Sequence, residues 1–116
     1  MRGSETQQDI PVWKTADDLR WAVRQWAARM GVNTPRTTVR VMQSKWASIS
    51  TSGRLTLNSE LLALPHRLAE LVIVHELAHI LAPNHGKVFK SFMSVYLPDW
   101  EEREQELRSH NATELP

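Results

Sequence analysis

Apolar residues recur along this chain with two different periods, and each change of period marks a new element. Between residues 19 and 30, Leu19, Ala22, Val23, Trp26, Ala27 and Met30 fall three or four apart, the spacing that gathers them on one helical face. Thr15 followed by Asp18 has the form of a capping box at its start, and Gly31 supplies a residue on which helices commonly end. After a turn at 33–36 containing Pro35 the period drops to two. Thr38-Val39-Arg40-Val41 alternates as a half-buried strand does, and residues 45–50 and 54–58 read as two more strands joined by a tight turn at Ser52-Gly53. A brief helical turn follows from Asn58 or Ser59. From Pro65 or His66 to Leu81 the sequence is apolar almost all round, as expected of a central helix. A third helix after His85-Gly86 carries Val88, Phe89, Phe92, Met93 and Tyr96 on one side until Pro98, and a glutamate-rich last helix with Trp100 ends near Leu107 or Arg108. The pattern predicts an α+β domain over residues 13–110, with a small, mostly antiparallel sheet packed on the central helix and flanked by helices. Residues 1–12 and 111–116 are expected to be flexible tails.

The polar residues inside the apolar helix carry the chemistry. His75-Glu76-Leu77-Ala78-His79 stands among Leu71, Val72, Ile73, Val74, Ile80 and Leu81, where a charged side chain is costly to bury unless it is paired or has a task. Residues 75 and 79 are one turn apart, so both imidazoles can face one ion, with Glu76 beside it as a general base. A third ligand must come from elsewhere in the chain. Pro83 cannot continue the helix, and Asn84 is a suitable cap for the next one, so the chain bends there and His85 can return to the ion. The rival third ligands are Glu101, Glu102 and Glu104 on the last helix. His66 is nine residues before His75, ~13 Å along the helix axis and too far for direct ligation. Three ligands and an open fourth position describe a hydrolytic zinc site, for one zinc ion.

Composition narrows the surroundings of that site. The chain has 116 residues and no cysteine, which excludes a disulfide framework and thiolate ligands. Its apolar fraction is 41% and its net charge +1, a balance that predicts no strong general attraction to nucleic acid. The charge is uneven, however: residues 1–60 hold nine Lys or Arg against five Asp or Glu. Arg20, Arg24, Arg29, Arg36, Arg40, Lys45 and Arg54 could face a nucleic acid or an acidic peptide, although the solvated faces of a helix and a small sheet account for them more simply. No apolar run is long enough for a membrane span, and the amino terminus lacks the apolar segment of a secretory signal, so a cytoplasmic location is expected.

With these residues in view, the segment from Val39 to Trp100 resembles the YgjP-like metallopeptidase domain family, a group related to SprT-like and other minimal zincins. The likeness runs through Lys45-Trp46-Ala47-Ser48, Gly53-Arg54-Leu55-Thr56-Leu57-Asn58, Leu61-Leu62, the stretch Leu71 to His79, and Asn84-His85-Gly86-Lys87-Val88-Phe89. It implies a zincin-like fold, His75, His79 and His85 as zinc ligands, Glu76 as general base or acid, and a peptide or protein substrate. Family members carry a glycine and a cysteine around the tryptophan strand, where this chain has Ala47 and Ile49 or Ser50. A substrate would lie extended along a sheet edge, either the strand from Trp46 to Ile49 or the one from Arg54 to Leu57. Trp46 is a candidate cleft wall, and Tyr96, His66 and Arg67 are candidate oxyanion donors. The alternative is a zinc-stabilised binding or regulatory module with its fourth metal position closed by protein.

Overall fold

A computed structural model of the chain describes residues 13–110, and the expected tails at 1–12 and 111–116 lie outside the described residues. Helix α1 spans Ala16–Met30. Its first turn is held by the capping box foreseen from Thr15 and Asp18, in which each side chain accepts from the other residue's backbone. It stops at Gly31, whose φ of 72° needs a residue without a Cβ and whose N–H donates to Ala27 and Ala28.

Three strands follow: β1 (Arg36–Arg40), β2 (Ala47–Ile49) and β3 (Arg54–Asn58). β2 and β3 form an antiparallel hairpin turned by Ser50–Gly53, with Gly53 at φ 85°. The sheet order is β1-β3-β2, so β3 is central, and its longer pairing is parallel, with β1 in register from Arg36 opposite Arg54 to Arg40 opposite Asn58. The small sheet is therefore mixed: β2 runs against β1, the hairpin reverses the chain again, and β3 inserts beside β1 pointing the same way. β1 also begins two residues earlier than the alternation around Thr38 indicates and leaves Val41 outside it.

Buried Asn58 ends β3 and fixes the approach to β2. Its side-chain amide donates to the carbonyls of Met42 and Lys45, each at 2.9 Å, and its oxygen accepts from Glu60 N–H at 3.0 Å. A 3-10 turn, Ser59–Ala63, then leads to helix α2, His66–Leu81. Residues 71–78 of α2 are all buried, and the helix touches α1, β2 and both later helices. Those are α3, Lys87–Tyr96, and α4, Trp100–Arg108.

At the amino-terminal end of α2, Glu70 links three helices. It accepts from Trp26 Nε1 of α1 at 3.1 Å and from Arg103 of α4 at 2.9 Å, while Arg67 pairs with Glu106. This end of α2 is thus closed by structural contacts, and α4 is docked there. The other end carries the polar triplet. Among the described residues no helix is long and apolar enough to cross a membrane.

Candidate active site

Helix α2 supplies His75, Glu76 and His79 from its last two turns and then ends at Ala82, whose N–H still donates to Ala78. Pro83 prevents a further turn. Residues 83–86 bend the chain back without regular structure, and α3 starts at Lys87 with Gly86 as its cap, so Asn84 does not cap it. The bend delays the helix by two residues and in doing so returns His85 to α2.

The ring nitrogens of the three histidines converge. His85 Nε2 lies 3.2 Å from His75 Nε2 and 3.0 Å from His79 Nε2. Two nitrogens each ~2.0–2.1 Å from a tetrahedral zinc ion would be about 3.3 Å apart, so the cluster has the dimensions of one face of such a site. Three imidazoles and no thiolate also make a donor set that suits zinc. Among the described residues, His75, His79 and His85 are the group with ligand atoms close enough to hold a metal. Glu101, Glu102 and Glu104 are not part of it, because α4 packs toward the opposite end of α2 and Glu104 pairs with Arg108 on its own helix.

Phe89, one turn into α3, braces all three rings. Its centroid is 5.0 Å from that of His75, 4.9 Å from His79 and 4.8 Å from His85. Exposure rises along the cluster from buried His75 through His79 to exposed His85, so one side of it faces solvent.

Glu76 has the environment that its position in an apolar helix foretells. The residue is fully covered, and neither carboxyl oxygen meets a hydrogen-bond donor among the described residues. Burial pushes its carboxyl up to about 8, against the opposing pull of the Lys45 ammonium. Glu76 and His79 border a cleft of about 1030 Å³ between the β2–β3 hairpin and the chain at 31–35. Lys45, Ser48, Ile49, Ile80 and Pro83 also line it. Since β3 is hydrogen-bonded on both sides, the sheet edge next to this cleft is β2.

The other residues singled out in the sequence lie elsewhere. Trp46 is buried in the core and does not line the cleft. His66 stands at the start of α2 with its ring 4.0 Å from that of Trp13, and burial lowers its pKa first, ahead of the opposing effect of Glu70. Tyr96 is seven residues beyond Phe89, ~10 Å along α3, and is absent from the cleft wall. Arg67 is held by Glu106. Phe89 and Lys45, by contrast, emerge as site residues only from the folded chain. In the sequence Phe89 is a member of an apolar face and Lys45 a surface cation, and both belong to stretches that carry the family likeness, but neither is given a role at the site.

Residues 11–110 match a protein family described as YgjP-like, metallopeptidase domain. Among solved structures the chain is similar to the metallopeptidase zymogen jannalysin of Methanocaldococcus jannaschii, with 24% identity, a TM-score of 0.72, and coverage of 79% of this chain and 95% of that one. It is also similar to the metallopeptidase zymogen abylysin of Pyrococcus abyssi, with 20% identity, a TM-score of 0.73, and coverage of 84% and 99% respectively. At these identities the likeness is one of fold. No curated protein matches the chain.

Proposed function

The chain belongs to the YgjP-like metallopeptidase family, and from that membership we propose that residues 13–110 form a single zinc-dependent peptidase domain. The observation that carries the reading is the convergence of three histidine Nε2 atoms beside a buried carboxyl group that has no hydrogen-bond donor of its own. His75, His79 and His85 would hold the ion. Zinc bound there supplies a Lewis acid and lowers the pKa of water at its open position.

The remaining steps belong to the protein. The outer edge of β2, which pairs with no other strand among the described residues, binds the peptide backbone in extended form by adding a strand. Glu76 accepts the proton of the attacking water as the new bond to the carbonyl carbon forms, and gives it to the departing amine nitrogen. Burial suits the carboxyl to both halves of that task, because a group of raised pKa is a stronger base when ionised and holds the proton until the leaving group needs it. Phe89 and the apolar wall of α2 keep the imidazoles oriented and water away from their inner side. A cytoplasmic location is part of the same proposal.

Replacing Glu76 with glutamine keeps shape and volume but removes the proton acceptor. The variant is expected to bind zinc like the wild type and to hydrolyse a generic protein substrate such as unfolded casein at least ~100-fold more slowly, the usual worth of a general base. Equal rates in the two proteins would overturn the role given to Glu76. A wild type that binds zinc and cleaves nothing would favour the binding-module alternative.

A further inference from the structure

Every charged side chain in the layer that borders the cleft is basic. Residues 31–59 contain Arg36, Arg40, Lys45 and Arg54 and not one aspartate or glutamate. The strand registers place these cations with some order. Arg36 and Arg54 are directly opposed on β1 and β3, Thr38 opposes Thr56, and Ser48 of β2 opposes Thr56 from the other side. Arg36, Thr38, Arg40, Arg54, Thr56 and Ser48 therefore share the outward face of the sheet, the opposite face being occupied by Leu55, Leu57 and Ala47 in the core. Like charges directly opposed across a sheet are destabilising. None of the four cations makes an ion pair among the described residues.

Lys45 brings this charge into the cleft. It is the one Lys or Arg of the cleft wall, which has Glu76 as its one carboxylate. Its backbone is not free to drift, because buried Asn58 grips its carbonyl at 2.9 Å. Arg54 follows the hairpin tip Ser50–Gly53, whose residues also line the cleft, and its N–H donates to Ser50 Oγ at 3.1 Å.

We propose that the cleft selects extended peptide segments bearing acidic side chains, read by Lys45 and by Arg54 of the outward sheet face. The pose rests on the peptidase reading, in which the peptide adds as a strand to the free edge of β2. Strands lie ~4.8 Å apart, so a docked segment is about 10 Å from β3, within reach of the long side chain of Arg54 and within a Debye length of its charge. Side chains of an added strand alternate between faces. Those on the face of Ser48 meet Arg54. Those on the other face meet Lys45, Ile49 and Ile80, which line the cleft together with Glu76 of α2. The preferred segment thus carries acidic residues that meet Arg54 on one face or Lys45 on the other, with room for apolar ones against Ile49 and Ile80. A peptide fits better than a nucleic acid, because the outward face offers arginine, serine and threonine but no aromatic ring on which a base could stack.

The test uses zinc-loaded full-length protein carrying Glu76→Gln and short fluorescein-labelled peptides in which glutamate, serine or lysine alternates with alanine. Anisotropy titration should show the glutamate peptide binding at least ~fivefold tighter than the serine peptide, the worth of one or two exposed ion pairs. The advantage should shrink as salt rises from ~0.05 to ~0.3 M. Lys45→Glu should abolish it and favour the lysine peptide, Arg54→Ser should halve it or more, and Arg108→Ser on α4 should leave it unchanged. Equal binding of the three peptides, an unaltered preference in Lys45→Glu, or displacement of the glutamate peptide by an unstructured oligonucleotide of equal charge would each overturn the proposal. Casein cleavage by the wild-type protein reads the peptidase assignment separately, so the two ideas fail by different measurements.

Discussion

His85 joins the histidine cluster from outside any helix, and that makes it the residue whose removal says most. The residue is exposed, its backbone belongs to the bend at 83–86, and among the described residues its ring meets those of His75, His79 and Phe89. Taking it away leaves a two-histidine site with one face open to water. Zinc affinity of His85→Ala, titrated against a competing chelator, is expected to fall at least ~100-fold, beyond the effect of losing a supporting contact around a ligand. Alanine at Glu101, Glu102 or Glu104 should change it by under about 1 kcal/mol, the scale of ordinary surface substitutions. Retained affinity in His85→Ala with a loss in one glutamate variant would require a third ligand from α4 and contradict the packing of that helix against the far end of α2.

At the scale of elements, the site depends on how loop and strand are pinned to the sheet, and Asn58 is the pin. Asn58→Ala would leave the carbonyls of Met42 and Lys45 without their donor and Glu60 N–H without its acceptor, in a position that is 1% exposed. The expected loss is about 2–3 kcal/mol of stability, measured by urea unfolding, together with a weaker grip on peptide because Lys45 is no longer held. A variant as stable as wild type would show that the 42–45 segment is fixed by something else. The sequence makes Asn58 visible only as the end of a strand; its two carbonyl partners are 16 and 13 residues away, and no local rule predicts them. The same distinction separates what was legible from what was not. The α1 capping box, the Gly53 turn, the start and end of α2 and the one-turn spacing of His75 and His79 follow from local geometry, and the bend at Pro83 made His85 a candidate. The parallel pairing of β1 with β3, the contact of Phe89 with three imidazoles and the entry of Lys45 into the cleft are all long-range outcomes of packing.

For the whole molecule, the placement of the histidine cluster relative to the core decides how metal binding there would be linked to folding. The core is contiguous without the histidines: Leu19, Val23, Leu55, Leu57, Leu68, Leu71, Val72 and Leu77 pack α1, the sheet and α2 into one cluster, and the Glu70–Arg103 contact fastens α4 to it. An ion at the cluster would tie the 83–86 bend, and through it the start of α3, to the end of α2. It would add to a domain that already folds, unlike a zinc finger, in which the metal is the main source of stability. The metal-free protein should therefore keep native near-ultraviolet circular dichroism and melt in a single cooperative step. Zinc at ~100 times its Kd should then stabilise it by about 2.7 kcal/mol. In a domain of this size each kcal/mol is worth roughly 4–8 °C, so Tm should rise by about 10–20 °C on zinc addition and return on chelation. His79→Ala should melt near the metal-free wild type and gain little from zinc. If the metal-free chain instead lacked a cooperative transition, the ion would be part of the core, and a zinc-dependent rise that persisted in His79→Ala would place the stabilising ion somewhere other than at these three histidines.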